Sequence, residues 1–476
     1  MPDRYHIHTI PVPARFHRIG KFGSIDWRED CSRCSNCVKR RCCFEVYEHE
    51  STHNRNPVAA IETLYECKAC FSCVQGCTKG LLSLSVNPEF IEMGDDFWKP
   101  EVILSTWNQS DSGRIPVSGA GYRGLFHGFG FDSIWTDMSE IVRPTRDGIH
   151  GREYISTSVD IGAKPMRLSF APDGQMLSRP ANLLEIQIPA ILDVPPWPIR
   201  NPRLVEARAL AAKELRTFAA MSFSEAELLP PDLKPFAVPI FDHEEINGFG
   251  GNAPWNMIQL LDGPDILRSA EYICSKSPKT IISVRLALNA DSGDRITQLS
   301  RQGFKVFQIC ADSHGRERAA DSSSVRHIKD ALREIHGRLV NEGIRDEITL
   351  IVSGGIALAE HMAKAIICGA DLVAVDTALL VAIGCRVCRD AHPSNGHGVT
   401  SSCPAGIDSV DCSYAAQRIV NLMGAWHSQL IEVLGAMGIR EVRRLRGEMG
   451  RAIFMEEIEK EAFGDLLRVP EGQASA

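Results

Sequence analysis

Beyond about residue 185, short apolar runs alternate with amphipathic stretches. The runs are Ile186–Leu192, Thr217–Met221, Pro235–Phe241, Thr280–Leu288, Lys305–Ala311, Glu347–Val352 and Leu372–Val375. Helical spacing of apolar positions appears at Arg203–Leu215, Trp255–Cys274, Asp294–Gln302, Ser324–Asn341 and Ala357–Cys368. Strand and helix in alternation predict a parallel sheet. Seven such runs, eight with one irregular member, predict an α/β fold of the closed (β/α)8 barrel type, a TIM barrel, rather than an open sheet. The longest apolar stretch, around Leu372 to Ile383, is broken by Asp376 and reads as a buried strand running into a helix, not a membrane span. From about residue 414 the chain reads as helical.

Upstream the pattern changes. Residues 1–25 form a basic arm containing proline and histidine. Residues 26–95 hold most of the cysteines, with a short helix predicted inside HESTHNRNPVAAIETLYE. Residues 96–180, rich in Gly, Ser, Asp and Trp, have little periodicity and read as an irregular connecting segment. The barrel is expected over 181–412 and a helical C-terminal region over 413–476. A chain of 476 residues has room for more than one domain. The net charge of −8 argues against a nucleic-acid partner. The N-terminus lacks the apolar core of a signal peptide, and a cytoplasmic protein is expected.

Nine of the 16 cysteines lie between positions 31 and 77. Cys31, Cys34 and Cys37 are followed by Cys42 and Cys43, and Cys67, Cys70 and Cys73 by Cys77. A C-x2-C-x2-C loop turns three thiolates toward a common centre. In two-cluster ferredoxins the fourth ligand of each run serves the other cluster. Cys77 then completes the cluster of Cys31, Cys34 and Cys37, and Cys42 or Cys43 that of Cys67, Cys70 and Cys73. Two [4Fe–4S] clusters and a ferredoxin-like domain are expected. Disulfides would need an oxidising compartment, and structural zinc would want paired C-x2-C knuckles, not triplets.

The barrel carries its own candidates. Ser353–Gly354–Gly355 follows the strand EITLIV, and Asp376–Thr377 follows DLVAV. In such barrels the ends of the last two strands are where backbone amides meet a phosphate. A tight β–α turn is the plain alternative for the glycines. Arg285 lies within an apolar strand, where a cation is costly unless it meets an anion. The edge of a reduced flavin would supply one, and a fixed cation there raises the flavin's potential. Gln308 is a similar outlier, suited to a hydrogen bond with a ring. For both, a satisfied core polar residue is the alternative. Cys385, Cys388 and Cys403, with Cys412 nearby, could hold a third cluster; zinc, joined by His392 or His397, is the alternative. Cys274, Cys310 and Cys368 read as inert core cysteines. Gly119, Gly121 and Gly124 match G-x-G-x-x-G without the strand and helix a dinucleotide fold requires, so NAD(P)H binding is not expected.

SVRLAL, VFQI, IVSGGIALAEHMAKAIICGADLVAVDTALLVAIGC, SCPAGI and the tail beginning YAAQRIVNLMG together resemble the flavin-binding synthase domain of glutamate synthase. The form resembled is the short one, fused to a two-cluster ferredoxin-like domain. The resemblance covers about residues 280–445. It implies FMN, with Arg285 where the family has a lysine near the flavin, and Gly354 and Gly355 at the phosphate with Asp376 and Thr377 alongside. It implies a cluster on Cys385, Cys388 and Cys403, [3Fe–4S] in the family, although the longer spacing here leaves [4Fe–4S] open. It also implies a ferredoxin or another redox subunit as partner, and reduction of 2-oxoglutarate with ammonia to glutamate. Two loops depart from the family. Its D-G-G-T-G loop is replaced by Asp312–Ser313–His314–Gly315–Arg316–Glu317–Arg318, and a glycine- and glutamate-rich loop by MSFSEAELLPPD. His314, Arg316 and Arg318 could define a new pocket for an anionic substrate. Neither a glutaminase domain nor an N-terminal cysteine nucleophile is expected, since Pro2 follows Met1. A second reading is an electron-transfer flavoprotein subunit of a larger hetero-oligomeric redox complex, acting on another small-molecule substrate or none.

Overall fold

The computed structural model describes residues 5–17, 19–27, 41, 43, 70–115, 130–137, 155–164, 169–177, 182–197, 201–250, 254–317, 325–388 and 405–463. Two compact units divide the chain: Met1–Val12 with Asn108–Ile383 and Ser402–Ala476, and Pro13–Trp107 with Gly384–Ser401. The helix expected between the cysteine runs, the G-x-G-x-x-G stretch, Cys31, Cys34, Cys37, Cys42, Cys67, Cys403 and Arg318 lie outside the described residues.

The larger unit is built on a closed parallel barrel of eight strands. They are β1 (Ala190–Leu192), β2 (Ala219–Ser222), β3 (Ala237–Phe241), β4 (Met257–Leu261), β5 (Ile281–Ala287), β6 (Val306–Cys310), β7 (Thr349–Ser353) and β8 (Leu372–Val375). Each pairs with the next, and β8 closes on β1 through Val373 and Ala190. Burial on both faces favours near-continuous apolar strands, and every residue of β1, β7 and β8 is buried. Helices α1 (Arg203–Glu214), α2 (Phe223–Leu228), α3 (Ile266–Lys276), α4 (Ser292–Arg301), α5 (Ile328–Asn341), α6 (Ala359–Ile367) and α7 (Thr377–Ala382) stand between or after the strands. The stretch Leu372 to Ile383 is the strand–helix unit expected of it.

Three expectations are corrected. Trp255–Cys274 is not one helix: its first part is β4, and only Ile266–Lys276 is helical. Met257 to Leu260 are consecutive buried residues, as in a strand, whereas Ile266, Ser269 and Ile273 make the helical stripe, and Gly263–Pro264 breaks the two apart. Ile186–Leu192 is also split. Leu183–Ile186 pairs antiparallel with Val159–Gly162, and Pro189, which has no N–H to donate, precedes β1. Residues 96–180 contain a regular helix, Pro100–Ser112. Its buried face mixes Val102, Ile103 and Trp107 with Thr106, Gln109 and Ser110, so the stripe is half polar and hidden from a hydrophobicity pattern.

The C-terminal helix α8 (Cys412–Ala436) is capped by Asp411, whose carboxylate accepts from the Ser413 and Tyr414 amides. Arg418, 1% exposed, donates to the Ala382 carbonyl at the end of α7 (2.5 Å), to Tyr414 and to Asp111. Just before β8, buried Asp371 collects Arg345, Lys164 and Arg446 at 2.9, 3.1 and 2.8 Å. Burial alone would raise its carboxyl, but these cations bring it down to about 2. No helix among the described residues is long and apolar enough to cross a membrane.

In the smaller unit Phe22–Trp27 pairs antiparallel with Leu82–Val86. These two strands flank the cysteine-rich stretch in sequence, and the short helix Ser72–Gln75 lies within it.

Candidate active site

Five inward side chains form a hydrogen-bonded polar layer near the C-terminal ends of the barrel strands. Arg285 of β5 donates from both terminal nitrogens to Asp193, just after β1, at 2.8 and 3.1 Å. It also reaches the Gln259 carbonyl on β4 at 3.2 Å. The Gln259 amide donates to the Gln308 carbonyl of β6 at 2.5 Å. The Gln308 amide in turn donates to Asp193 at 2.7 Å and to the Ser353 hydroxyl at 3.3 Å. Buried polar groups of this kind are costly unless every member is partnered. Parallel register sets Arg285 opposite Gln308 on the neighbouring strand, so their side chains share a level. Beneath Asp193, fully buried Arg208 of α1 donates to the Asp193 and Ala220 carbonyls and holds the end of β1 against β2.

The charges in this layer oppose each other. Burial works against the Arg285 cation, but Asp193, Cys310 and Asp376 more than offset it and push its pKa up. Asp376, just after β8, is pushed up to about 7 by burial and by the nearby Asp193 charge. One of its oxygens already accepts from the Thr377 amide at 2.5 Å. The Thr377 hydroxyl is buried beside the Asp376 carboxylate, whose charged form it favours. Cys310 lies in the same neighbourhood with its thiol raised, chiefly by burial.

After β7, Gly354 and Gly355 both take left-handed conformations, φ +94° and +69°. A Cβ on Gly354 would lie 2.4 Å from the Asp312 carbonyl oxygen, and one on Gly355 2.7 Å from the Gly315 Cα. Only glycine lets these two loops close on each other, so the tight turn considered for them is present. Across from them, the loop after β6 folds back on itself. Asp312 accepts from the His314 and Arg316 amides at 2.9 and 2.7 Å, and its own N–H donates to the Arg316 carbonyl at 2.9 Å. These three backbone donors of the loop are therefore spent within it. The loop after β2 is helix α2, closed by a reciprocal capping box of Ser222 and Glu225. Phe223 stacks on Phe241 at 4.5 Å, with Trp255 and Phe249 packed beside them.

Of the residues expected from sequence, the barrel gathers Arg285, Gln308 and Ser353 in one layer, Asp376 and Thr377 just after β8, and Gly354, Gly355 and His314 in two abutting loops. Asp193 and Gln259 were not expected. Asp193 sits in LDVPPWP, which reads as a loop polar group, and Gln259 fell inside a misassigned helix. A second group, Asp132, Glu360 and His361, brings its donor atoms within 4.8 Å of one another. Its histidine is already tied at both nitrogens, to the Ala357 amide and to Asp132.

In the smaller unit, the Cys43 and Cys70 sulfurs lie 3.7 Å apart. The Ser72 hydroxyl and amide lower the Cys70 thiol, and backbone amides, that of Leu81 foremost, lower Cys77. Amides aimed at sulfur favour the thiolate that a metal requires. The Val387 amide lies 3.4 Å from the Cys385 sulfur. Phe71 and Val387 hold left-handed backbone, φ 61° and 48°, inside the Cys70–Cys73 and Cys385–Cys388 spacings. Non-glycine residues there store strain, a cost associated with functional turns. Cys412 opens α8, its thiol raised by burial. Cys368 is buried, as expected, but Cys274 is exposed and not part of the core, because it lies off the buried stripe of Ile266, Ser269 and Ile273.

Residues 250–440 match the conserved region in glutamate synthase. The archaeal glutamate synthase (NADPH) of Archaeoglobus fulgidus is 25% identical over 98% of this chain and 98% of its own. The archaeal-type glutamate synthase (NADPH) of Dehalococcoides mccartyi is 23% identical over 89% of this chain and 93% of its own. That of Methanocaldococcus jannaschii is 28% identical over 77% and 84%.

Proposed function

We propose that the chain, whose residues 250–440 match the conserved region in glutamate synthase, is an FMN- and iron–sulfur-dependent oxidoreductase of glutamate-synthase type. Electrons would come from a ferredoxin-like donor through the cysteine-held clusters, and the product would be glutamate from 2-oxoglutarate and ammonia.

The observation that carries the FMN reading is the left-handed pair Gly354 and Gly355 after β7, in a mouth that also holds Asp376, Thr377 and a polar layer. These residues fit a polar, anionic cofactor. Ser353, Gly354, Gly355 and Thr377 would hold its phosphate, and Arg285, whose side chain keeps 17% exposure, would face its ring. Bound FMN would supply hydride transfer to the substrate carbon. Gln308, with no exposure and partners at both ends of its amide, would orient Arg285's surroundings rather than touch the ring directly. Asp376 would hold a proton near neutral pH.

For the clusters, the proximity of Cys43 to Cys70 favours Cys43 over Cys42 as the fourth ligand of the Cys67, Cys70 and Cys73 cluster. Cys77 would serve Cys31, Cys34 and Cys37. Cys385, Cys388 and Cys403 would hold the third cluster.

The relatives' names carry NADPH, so the reductant is part of the test. The protein is purified anaerobically, its iron, sulfide and FMN are quantified, and it is reduced with either reduced ferredoxin or NADPH before 2-oxoglutarate and ammonia are added. Flavin reoxidation with glutamate formed is the expected result. A flavin-loaded protein that ignores 2-oxoglutarate would overturn the substrate and favour the second reading, an electron-transfer subunit of a larger complex. The altered loops favour that reading: the β6 loop spends its amides on Asp312, and a capped helix with an aromatic cluster replaces the loop after β2.

A further inference from the structure

We propose that Asp193 is a positioning residue for the proposed flavin chemistry: it clamps Arg285 and Gln308 at one level of the barrel and offsets the Arg285 charge presented to the mouth. This rests on the FMN reading above.

The geometry is specific. The Asp193 carboxylate accepts four hydrogen bonds, two from Arg285, one from Gln308 and one from the Val194 amide. Gln259 closes the circuit, receiving from Arg285 and donating to Gln308. Bidentate carboxylate–guanidinium pairing fixes orientation as well as distance. Asp193 is itself immobilised, since its amide donates to the Val375 carbonyl at 2.7 Å and its carbonyl accepts from Arg208. With its side chain 2% exposed against 17% for Arg285, Asp193 lies behind the cation.

The electrostatic consequence follows from sign alone. A lone buried cation beside a flavin stabilises the reduced, anionic ring and raises its potential. A cation paired at 2.8 Å in a low-dielectric interior presents little net charge at longer range. Arg285 therefore acts on the ring mainly by position and hydrogen bonding, and Asp193 decides how much of its charge is felt.

The test is a redox titration of the FMN-loaded protein, followed by flavin absorbance, for wild type, Asp193→Asn, and the double variant Asp193→Asn with Arg285→Gln. Asp193→Asn should shift the flavin potential positive, because the charge is unmasked. The double variant should return it to the wild-type value, because a compensated pair has been replaced by two neutral amides. An unshifted Asp193→Asn overturns the proposal. So does a double variant well below wild type, which would mean that Arg285 acts uncompensated. If Asp193→Asn alone does not fold, the double variant still decides, since it leaves neither charge of the pair buried alone. FMN stoichiometry is measured alongside: a wild-type protein that takes up no FMN refutes the cofactor reading, whereas one that binds FMN but shows either overturning result refutes only the role of Asp193.

Discussion

Asp376 and Thr377 sit side by side after β8, one carrying a displaced pKa and the other a buried hydroxyl beside it. Asp376 titrates near 7, so it is about half ionised at neutral pH. A phosphate bound at this mouth meets one more negative charge as pH rises through 7. FMN retention should therefore weaken above neutrality in wild type and become flat with pH in Asp376→Asn; a ligand-release titration reads this. Thr377→Val should lower FMN affinity several-fold while costing only about 1 kcal/mol of stability, since its hydroxyl loses a single interaction, with the Asp376 carboxylate. A wild-type FMN affinity would remove Thr377 from the site. At this scale the sequence was informative where a polar residue broke an apolar strand, as at Arg285 and Gln308. It was silent at Asp193, because an aspartate before two prolines resembles any loop aspartate until Arg285 is seen beside it.

Elements were legible where their period was clean. Helix α8 was expected from its apolar stripe, and β8 with α7 from an apolar run interrupted by one aspartate. β4 was missed because a strand and a helix stand only a few residues apart, and their apolar residues merge into one stretch. The junctions between elements rest on single side chains. Arg418 ties α8 to the end of α7 and to Asp111, and Arg418→Ala should cost about 3 kcal/mol or more, because it leaves carbonyl and carboxylate acceptors unsatisfied; chemical denaturation measures it. Gly355→Ala should cost about 1–3 kcal/mol through its left-handed backbone and its approach to Gly315. A neutral effect would mean that the two loops are free to separate.

For the whole molecule, three histidines that are buried or half-buried govern the response to acid. Burial first, with nearby cations or a second histidine, brings His327 to about 3 and His336 and His427 to about 4, from 6.5. Between pH 6.5 and about 4 the unfolded chain takes up protons that the fold refuses, so stability falls as pH drops. Asp376 acts in the opposite sense, costing stability as pH rises from 3.8 to about 7. Three groups against one leave a net loss on acidification. Below that range Asp371, held near 2, adds a further loss as its pairs with Arg345, Lys164 and Arg446 break. Melting temperature against pH should therefore decline below 6.5, and more shallowly in His427→Gln by on the order of 2–3 kcal/mol across the range. The same slope in both proteins would place the acid sensitivity elsewhere.

By itself the sequence determined the alternation of strand and helix, and with it the parallel barrel, because burial on both faces demands apolar runs that can be read without coordinates. It also determined the candidates Arg285, Gln308 and the glycine pair, whose residue types are costly anywhere but in a special setting. The partners were decided only by the tertiary structure. Asp193 reaches Arg285 across 92 positions and Gln308 across 115. Cys43 meets Cys70 across 27. Gly354 and Gly355 are forced by a loop some forty residues upstream. Closure of the barrel brings such positions within hydrogen-bond reach, and no local pattern records which charge will stand opposite which.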